Sequence, residues 1–468
     1  MQSIPKDQIV RRMRAENPWW QEPHEVLPVY SGWTPRPYLD LFYPLIRERA
    51  VRRAVVLMGP RRVGKTVLIQ HTMQRLLAEG TDVRAIAYFS VDHPLYNGLS
   101  LESLVELFSE VTGLDPARQP SFLFFDEIQY LKDWERHLKV LVDSYPELRV
   151  VASGSAAAAL KLKSRESGAG RFTEFLLPPL TFYEFLTLLG EDPRESLKDL
   201  ERLNKNFIRY LNFGGYPEAS LSPAIQADPG RFIKADIIDK VLLRDLPSLY
   251  GIQDIQELNS LFTTLAFNTA QEISLEELSQ SAEVAKNTIK KYIEYLEAAF
   301  LVKVVHRVDQ KGRRFKRANF FKVYLTNPSM RAALFTPVEE GDPALGALVE
   351  TAVLAQWFHV DAPLYYARWR RGEVDLVGLD ARGKIRWASE VKWSGRLQER
   401  PRELASVLDF CRRNRLERFT ITTRTFLGNQ DHGGVTVQFV PAARYCLAAG
   451  SFTVTEGGRK LMQPRSID

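Results

Sequence analysis

The chain has 468 residues, 45% of them hydrophobic and 26% charged, which excludes a disordered, a collagen-like or a small disulfide-stapled protein and points to about three domains. Lys and Arg outnumber Asp and Glu by 63 to 57, a formal +6, too small an excess to name a nucleic-acid partner unless it is concentrated on one surface. Cys411 and Cys446 are the only cysteines, so neither a disulfide framework nor a four-Cys zinc site is available, and a cytoplasmic location is expected. Arg11, Arg12 and Arg14 have no apolar run behind them, against a secretory signal. No run of 18 apolar residues is present, so no membrane helix is expected.

No internal repeat and no low-complexity tract is visible, against a solenoid or propeller. Residues 1–45 mix polar helix-like sequence with Asn17-Pro18-Trp19-Trp20 and a proline-containing stretch, Trp33 to Pro37, and are expected to form an arm or strap. From Ala54 to about Phe175, apolar runs alternate with helical patterns: Ala54–Met58, Val83–Ser90, Phe122–Phe125, Val150–Ser153 and Glu174–Leu177. Runs this short and apolar read as strands buried on both faces, so the alternation predicts a parallel α/β sheet. Residues 182–250 read as helical, broken at Gly214-Gly215-Tyr216-Pro217. Helices follow, then strands Leu301–Val305 and Phe320–Leu325 around a basic turn. The last part opens with a helix at Leu348–Phe358 and continues into two strands joined by Asp380-Ala381-Arg382-Gly383, another helix and a strand near Val435–Val440.

Gly59-Pro60-Arg61-Arg62-Val63-Gly64-Lys65-Thr66 fits the phosphate-loop pattern, with a buried strand before it and a helix expected from Val67. The glycines permit a turn whose N–H groups face phosphate oxygens, and the helix N-terminus adds positive potential. Lys65 is expected on the β and γ phosphates of ATP and the Thr66 hydroxyl on Mg²⁺; residues 59–67 form the nucleotide-binding set. Phe122-Leu123-Phe124-Phe125-Asp126-Glu127 ends a strand in two acids, with Asp126 placed for Mg²⁺ and Glu127 for the attacking water. Ser153, after the next strand, is expected near the γ-phosphate, and Arg171 as a finger given to a neighbouring subunit. A plain Gly-rich turn and solvated acids at a strand end are the simpler alternatives.

The ordered motifs GPRRVGKT, LFFDEIQ, VVASGSA, GRFTEFLLPPLTFYEFL and FGGYPEA, with KVYLTNPSMRAAL, GALVETAVL, GEVDLV and SEVK, span most of residues 50–445. Together they resemble a prokaryotic AAA-type P-loop ATPase family whose C-terminal half, a domain of unknown function, carries a winged helix and a PD-(D/E)xK nuclease-like part. The resemblance implies an additional-strand P-loop core of strand order 5-1-4-3-2 and a homo-oligomer, a hexameric ring being one form. Asn327-Pro328 departs from the family pattern, which usually has an acidic residue and a Gly there. The expected fold is α/β, divided as arm 1–45, ATPase core 46–180, helical lid 181–250, winged helix 251–327, nuclease-like α/β part 328–450 and tail 451–468.

Residues 273–301 parse as helix, turn, helix, with Leu275, Leu278, Ile289, Ile293 and Leu296 facing inward and Asn287 or Thr288 starting the second helix. Lys286, Lys290 and Lys291 lie on its outer side. The strands that follow would form a wing whose tip carries Lys311, Arg313, Arg314, Lys316 and Arg317. Residues 284–322 hold eleven Lys and Arg against three acids, an excess of eight, while the rest of the chain carries 52 against 54. DNA is therefore the expected partner, through a helix in the major groove and a wing on phosphates; a solvated charge run on a protein-binding module is the alternative.

Strand alternation places Glu373 with Asp375, and Glu390 with Lys392, on shared faces of a hairpin, and Glu350 lies on the preceding helix. This arrangement resembles the PD-(D/E)xK pattern, in which carboxylates hold Mg²⁺ and a Lys acts on water. The alternative is a scaffold whose acids are neutralised by Arg368, Arg370 and Arg371. The leading expectation is an ATPase that couples hydrolysis to DNA remodelling or translocation, in repair or recombination; a nucleotide switch with protein partners and an ATP-gated endonuclease are the rivals.

Overall fold

The computed structural model describes residues 5–21, 28–154, 170–315, 319–358, 363–370 and 372–455. They divide into two compact units, Met1–Pro178 and Pro179–Asp468. Among the expected site residues, Lys316 and Arg317 lie outside the described set, as do Arg371 and most of the tail at 451–468. No helix among the described residues is long and apolar enough to cross a membrane.

The first unit is built on β1 (Ala54–Met58), β2 (Ile86–Ser90), β3 (Ser121–Asp126), β4 (Leu148–Gly154) and β5 (Phe172–Leu176). All pairings are parallel, in the order β2-β3-β4-β1-β5. Every residue of β1, β3 and β4 is buried, as expected of strands covered on both faces by crossover helices. Because the strands run parallel, the C-terminal ends of β1 and β3 emerge on one side of the sheet, where ligands bind in such folds.

The segment before β1 belongs to this core. Ile9 and Met13, on one face of the helix Lys6–Glu16, are buried in the core cluster of this unit. Asn17 then pairs with the edge strand as a backbone would, its Oδ1 accepting from Tyr88 N (2.6 Å) and its Nδ2 donating to Tyr88 O (3.0 Å). Trp19 and Trp20 both donate their indole N–H to Ile86 O, at 2.9 and 2.8 Å. These contacts cover β2, whose outer N–H and C=O groups would otherwise form an open edge.

The second unit begins with helices. The one at Leu200–Phe213 stops at the Gly214-Gly215 break. A Cβ on Gly215 would strike the Asn327 side chain and Ser329 Oγ, so only glycine permits this approach. Asn327 is fully buried, and its Oδ1 accepts from Ser329 N (2.9 Å); the Asn-Pro departure thus forms a packed turn under the glycine. A nine-stranded sheet follows, made of β6 (Glu272–Ser274), β7 (Val302–Val308), β8 (Phe320–Leu325), β9 (Leu364–Trp369), β10 (Gly372–Leu379), β11 (Ile385–Glu390), β12 (Arg418–Thr423), β13 (Gly428–Asp431) and β14 (Thr436–Pro441). Their order is β13-β14-β12-β11-β10-β9-β7-β8-β6.

The β7–β8 hairpin pairs in the register Val302↔Leu325, and β6 joins β8. The helices Ile255–Phe267, Leu275–Ala282 and Lys286–Ala298 accompany these strands. This hairpin does not stand free: β9 pairs in parallel with the outer edge of β7. The seam placed by sequence at 327/328 therefore runs through one continuous sheet, whose added strand satisfies backbone groups that a free hairpin would expose. The core of this unit gathers Phe182, Phe185, Phe207 and Tyr210 with Val349, Val353 and Leu447.

Candidate functional site

The phosphate loop leaves β1 at Met58 and turns into the helix Lys65–Ala78, two residues earlier than the sequence predicts. A Cβ on Gly59 would collide with the carbonyl of Leu177. Gly64 sits at φ +93° as the N-cap, with no side chain to cap the helix. The first-turn N–H groups are therefore not covered by a capping side chain, which suits a phosphate. Arg36, between two prolines of the strap, braces this loop: its Nη1 donates to Val63 O (2.8 Å) and Pro178 O (3.0 Å). Lys65 Nζ donates to the carbonyls of Gly59 (3.0 Å) and Pro60 (2.8 Å), folded back along its own loop.

Asp126, at the end of β3, is 2% exposed and organises the other half of the site. Its Oδ2 accepts from Thr66 Oγ1 (2.6 Å) and from the Tyr88 hydroxyl (2.9 Å). Its Oδ1 accepts from Glu127 N (3.1 Å) and from Ser153 Oγ. Ser153 thus stands beside Asp126, one strand from the phosphate loop, in the register Leu57↔Ser153. Glu127 occupies the left-handed region at φ +55°, an unusual conformation for a non-glycine residue and one that collects at functional sites. Its carboxylate accepts from Gln129 Nε2.

Two tyrosines at this site carry no motif. Burial, then Asp126, pushes the Tyr88 hydroxyl far above its ordinary value, so it remains a donor. Burial first and the Asp126 carboxylate second also raise Tyr30, whose carbonyl contacts His71 Nε2 at 3.0 Å. Through Tyr30 the strap is thus tied to the phosphate-loop helix at His71. Arg171 lies elsewhere, next to the first residue of β5 and paired to Asp143 at 2.8 Å. Five residues of parallel strand separate that end of the sheet from the loop after β1, about 15 Å, too far for Arg171 to reach its own phosphate site.

The candidate DNA-contacting residues that the structure describes are on the surface. Lys286, Lys290 and Lys291 are exposed on the second helix of the pair, which starts at Lys286 after an Ala285 cap rather than at Asn287 or Thr288. Lys286 is ion-paired with Glu276. Leu278, Ile289, Ile293 and Leu296 are buried beneath, while Leu275 is half-buried. Lys311, Arg313 and Arg314 are exposed at the hairpin tip. The tip leans on the sheet: Arg314 stacks over Tyr365, 4.9 Å to the ring centre, and a Cβ on Gly312 would press on Ile385.

Glu350, Glu373, Asp375, Glu390 and Lys392 converge, as strand alternation predicts, but they enclose a second lysine. Lys322, on β8, is 3% exposed. Its Nζ reaches Glu350 Oε1 at 2.9 Å, Glu373 Oε1 at 2.7 Å and Asp375 Oδ1 at 3.0 Å. Two strands lie between β8 and β10 in the sheet order, a flat separation of about 14 Å, so the sheet must curl to bring them together. Lys392 Nζ takes Glu390 Oε1 (2.7 Å) and Asp375 Oδ2 (3.3 Å), which also accepts from Val391 N (2.9 Å). The Tyr324 hydroxyl donates to Glu350 Oε1 at 2.6 Å.

Burial alone would depress the Lys322 ammonium; Asp375, Tyr324, Glu350 and Glu373 outweigh it and hold its pKa well above the ordinary value. Asp375 is held down by Lys322 and Lys392 against the opposing effect of burial. Burial, then Asp375, pushes Glu350 up to about 7 and Glu390 up to about 8. The residues expected to hold a nuclease metal do not fit one: their oxygens already converge on ammonium groups, and among the described residues no group of three or more His, Cys, Asp or Glu is arranged to hold a metal ion. Of the flanking arginines in the scaffold alternative, Arg371 lies outside the described residues, and Arg368 is ion-paired with both Glu373, at 3.6 Å, and Glu272, at 2.6 Å.

Residues 51–186 match a family model described as an AAA domain, and residues 204–340 match a model described as a domain of unknown function. An uncharacterized protein of Haemophilus influenzae is 26% identical over 282 residues, covering 59% of this chain and 68% of its own. An uncharacterized protein of Methanocaldococcus jannaschii is 24% identical over 329 residues, covering 69% and 71%. Among solved structures, a Walker-type ATPase of Pyrococcus abyssi is similar, with 14% identity, 63% of this chain and 95% of that chain covered, and a TM-score of 0.39. The chain therefore carries an AAA-type P-loop ATPase domain in its first unit.

Proposed function

We propose that this chain is a Mg²⁺-dependent ATPase that binds DNA and couples hydrolysis to remodelling of the DNA or movement along it. The observation that carries the catalytic half is the meeting of Thr66 and Asp126 at 2.6 Å beside an uncapped helix start. When bound, Mg²⁺ would neutralise phosphate charge; Thr66 and Asp126 are the residues that would hold it. The N–H groups of residues 59–67 orient the phosphates, and Lys65, turning from its loop carbonyls to the nucleotide, adds positive charge. Glu127 accepts a proton from the attacking water. Tyr88 and Ser153 fix the Asp126 carboxylate so that its orientation does not depend on the ligand. Arg171, unable to reach its own site, is the finger offered to a neighbouring copy in a homo-oligomer.

The DNA half rests on charge placement. Three helices followed by a β-hairpin have the element order expected of a winged helix, and the exposed cations Lys286, Lys290, Lys291, Lys311, Arg313 and Arg314 all belong to them. Such contacts fall mostly on phosphates, which position a duplex without reading its sequence. The test is ATP turnover of the purified full chain against linear, forked and four-way DNA, with binding measured at several salt concentrations. Turnover that responds to DNA supports the reading. Turnover indifferent to every DNA form, with no binding at moderate salt, removes the DNA half and leaves a nucleotide switch.

A further inference from the structure

The acid cluster of the second unit has the carboxylates of a metal site and a lysine where the metal would be. Glu350 comes from the helix Leu345–Ala355, Glu373 and Asp375 from alternate positions of β10, and each directs one oxygen at the same ammonium, at 2.7–3.0 Å. Three carboxylates from two elements do not share a surface lysine in this way; the convergence defines a buried cation position. Lys322 fills it from β8, and the Tyr366 ring lies 5.4 Å from the same Nζ. A divalent ion needs oxygens at about 2.0–2.6 Å from its centre, so it cannot enter beside an ammonium bonded to those same oxygens. The two positive charges would lie within a few ångströms of each other in a poorly solvated site, with no intervening ligand to screen them.

We propose that Lys322 is a built-in counter-cation that closes a latent divalent-metal site formed by Glu350, Glu373 and Asp375, so that the nuclease-like part of this chain is held metal-free. Three features support the closure. Lys322 is buried at its stem and at its charge, with its side chain 4% exposed. Asp375 is engaged from both sides, by Lys322 on Oδ1 and by Lys392 and Val391 N on Oδ2. And Lys322 stands on the strand that leads out of the basic hairpin, which ties the cluster to the module proposed to meet DNA. The inference concerns the second unit alone and does not depend on nucleotide hydrolysis in the first.

The test uses Mn²⁺ as the probe and the full chain. Lys322→Met keeps most of the buried stem and removes the charge. In wild-type protein, calorimetry and the electron-paramagnetic signal of free Mn²⁺ should show no uptake that depends on Asp375. In Lys322→Met, Mn²⁺ should bind at least about tenfold more tightly than to wild type and raise the melting temperature, and Asp375→Asn in that background should abolish both effects. Should Lys322→Met fail to fold, Lys322→Gln, which removes the charge but keeps a polar end for the buried acids and leaves all three carboxylates in place, is read in the same way. Mn²⁺ uptake by wild-type protein that is lost in Asp375→Asn overturns the proposal, as does a folded Lys322 variant that takes up none.

Discussion

Thr66 Oγ1 and Asp126 Oδ2 lie 2.6 Å apart, joining the first turn of the phosphate-loop helix to the end of β3. The helix that follows β1 and the end of β3, on either side of β4, thus present a hydroxyl and a carboxylate to one point. The Tyr88 hydroxyl bonds the same carboxylate oxygen from the far strand, β2. Tyr88→Phe should remove one buried hydrogen bond and cost about 1 kcal/mol of stability. It should also raise the Mg²⁺ concentration needed for half-maximal ATP turnover while leaving turnover at saturating Mg²⁺ near wild type. Denaturant melts and a Mg²⁺ titration of activity check the two parts.

Arg171 sits at the opposite end of the sheet from its own phosphate loop, so its effect on hydrolysis must come through another copy. Arg171→Ala should bind ATP normally and lower turnover by about 10³-fold or more. Mixing it with Lys65→Ala should restore part of the activity, because each chain supplies what the other lacks. Turnover of the two variants, alone and mixed, is the measurement; no recovery on mixing would place the finger elsewhere.

Neutralising Lys286, Lys290, Lys291, Lys311, Arg313 and Arg314 should weaken DNA binding by a similar factor for every sequence. It should also flatten the dependence of log affinity on log salt by up to about 0.9 per phosphate contact removed. Basal ATP turnover without DNA should be unchanged. Fluorescence anisotropy over a salt series reads the slope directly.

Glu390 is raised by burial and by Asp375 to about 8, so the folded chain holds its proton where the unfolded chain has released it. Stability from this group is therefore complete below the ordinary carboxylate pKa and declines as pH rises through the window up to about 8, then levels off. Glu390→Gln is neutral throughout and should escape that decline. Between about pH 6 and about pH 9 the variant should gain about 2–3 kcal/mol relative to wild type. Thermal melts at the two pH values test the sign; a gain for wild type on raising the pH would contradict it.

The parallel sheet was legible because a buried strand covered on both faces is written as an apolar run, as in Ala54–Met58 and Phe122–Phe125, whereas its order came only from the family resemblance. The Gly214-Gly215 break was legible for a similar local reason. Strands β9 and β12 were not, since Leu364–Trp369 and Arg418–Thr423 mix aromatics, Thr and Arg, and their place depends on neighbours far along the chain. The helix beginning at Lys286 was misplaced because it has no side-chain cap to announce it. At the candidate nucleotide site the motif residues were the ones the sequence offered, while Tyr88, Tyr30 and Arg36 are placed by tertiary position and carry no spacing signal.

Lys322 was counted within a basic run, where a charged residue is ordinarily solvated. Its one local sign was alternation, which sets Lys322 on the same strand face as Phe320 and Tyr324. That a lysine there neutralises acids more than 25 residues away depends on the curl of the sheet, which no local pattern encodes.

The most direct measurement of the central claim is the initial rate of ATP hydrolysis by the full chain in Mg²⁺, with and without DNA, beside Lys65→Ala and Glu127→Gln. The account predicts turnover that rises with DNA, is lost in Lys65→Ala together with nucleotide binding, and falls about 10²- to 10⁴-fold in Glu127→Gln with binding retained. Turnover that survives Lys65→Ala, or that no form of DNA alters, would contradict it.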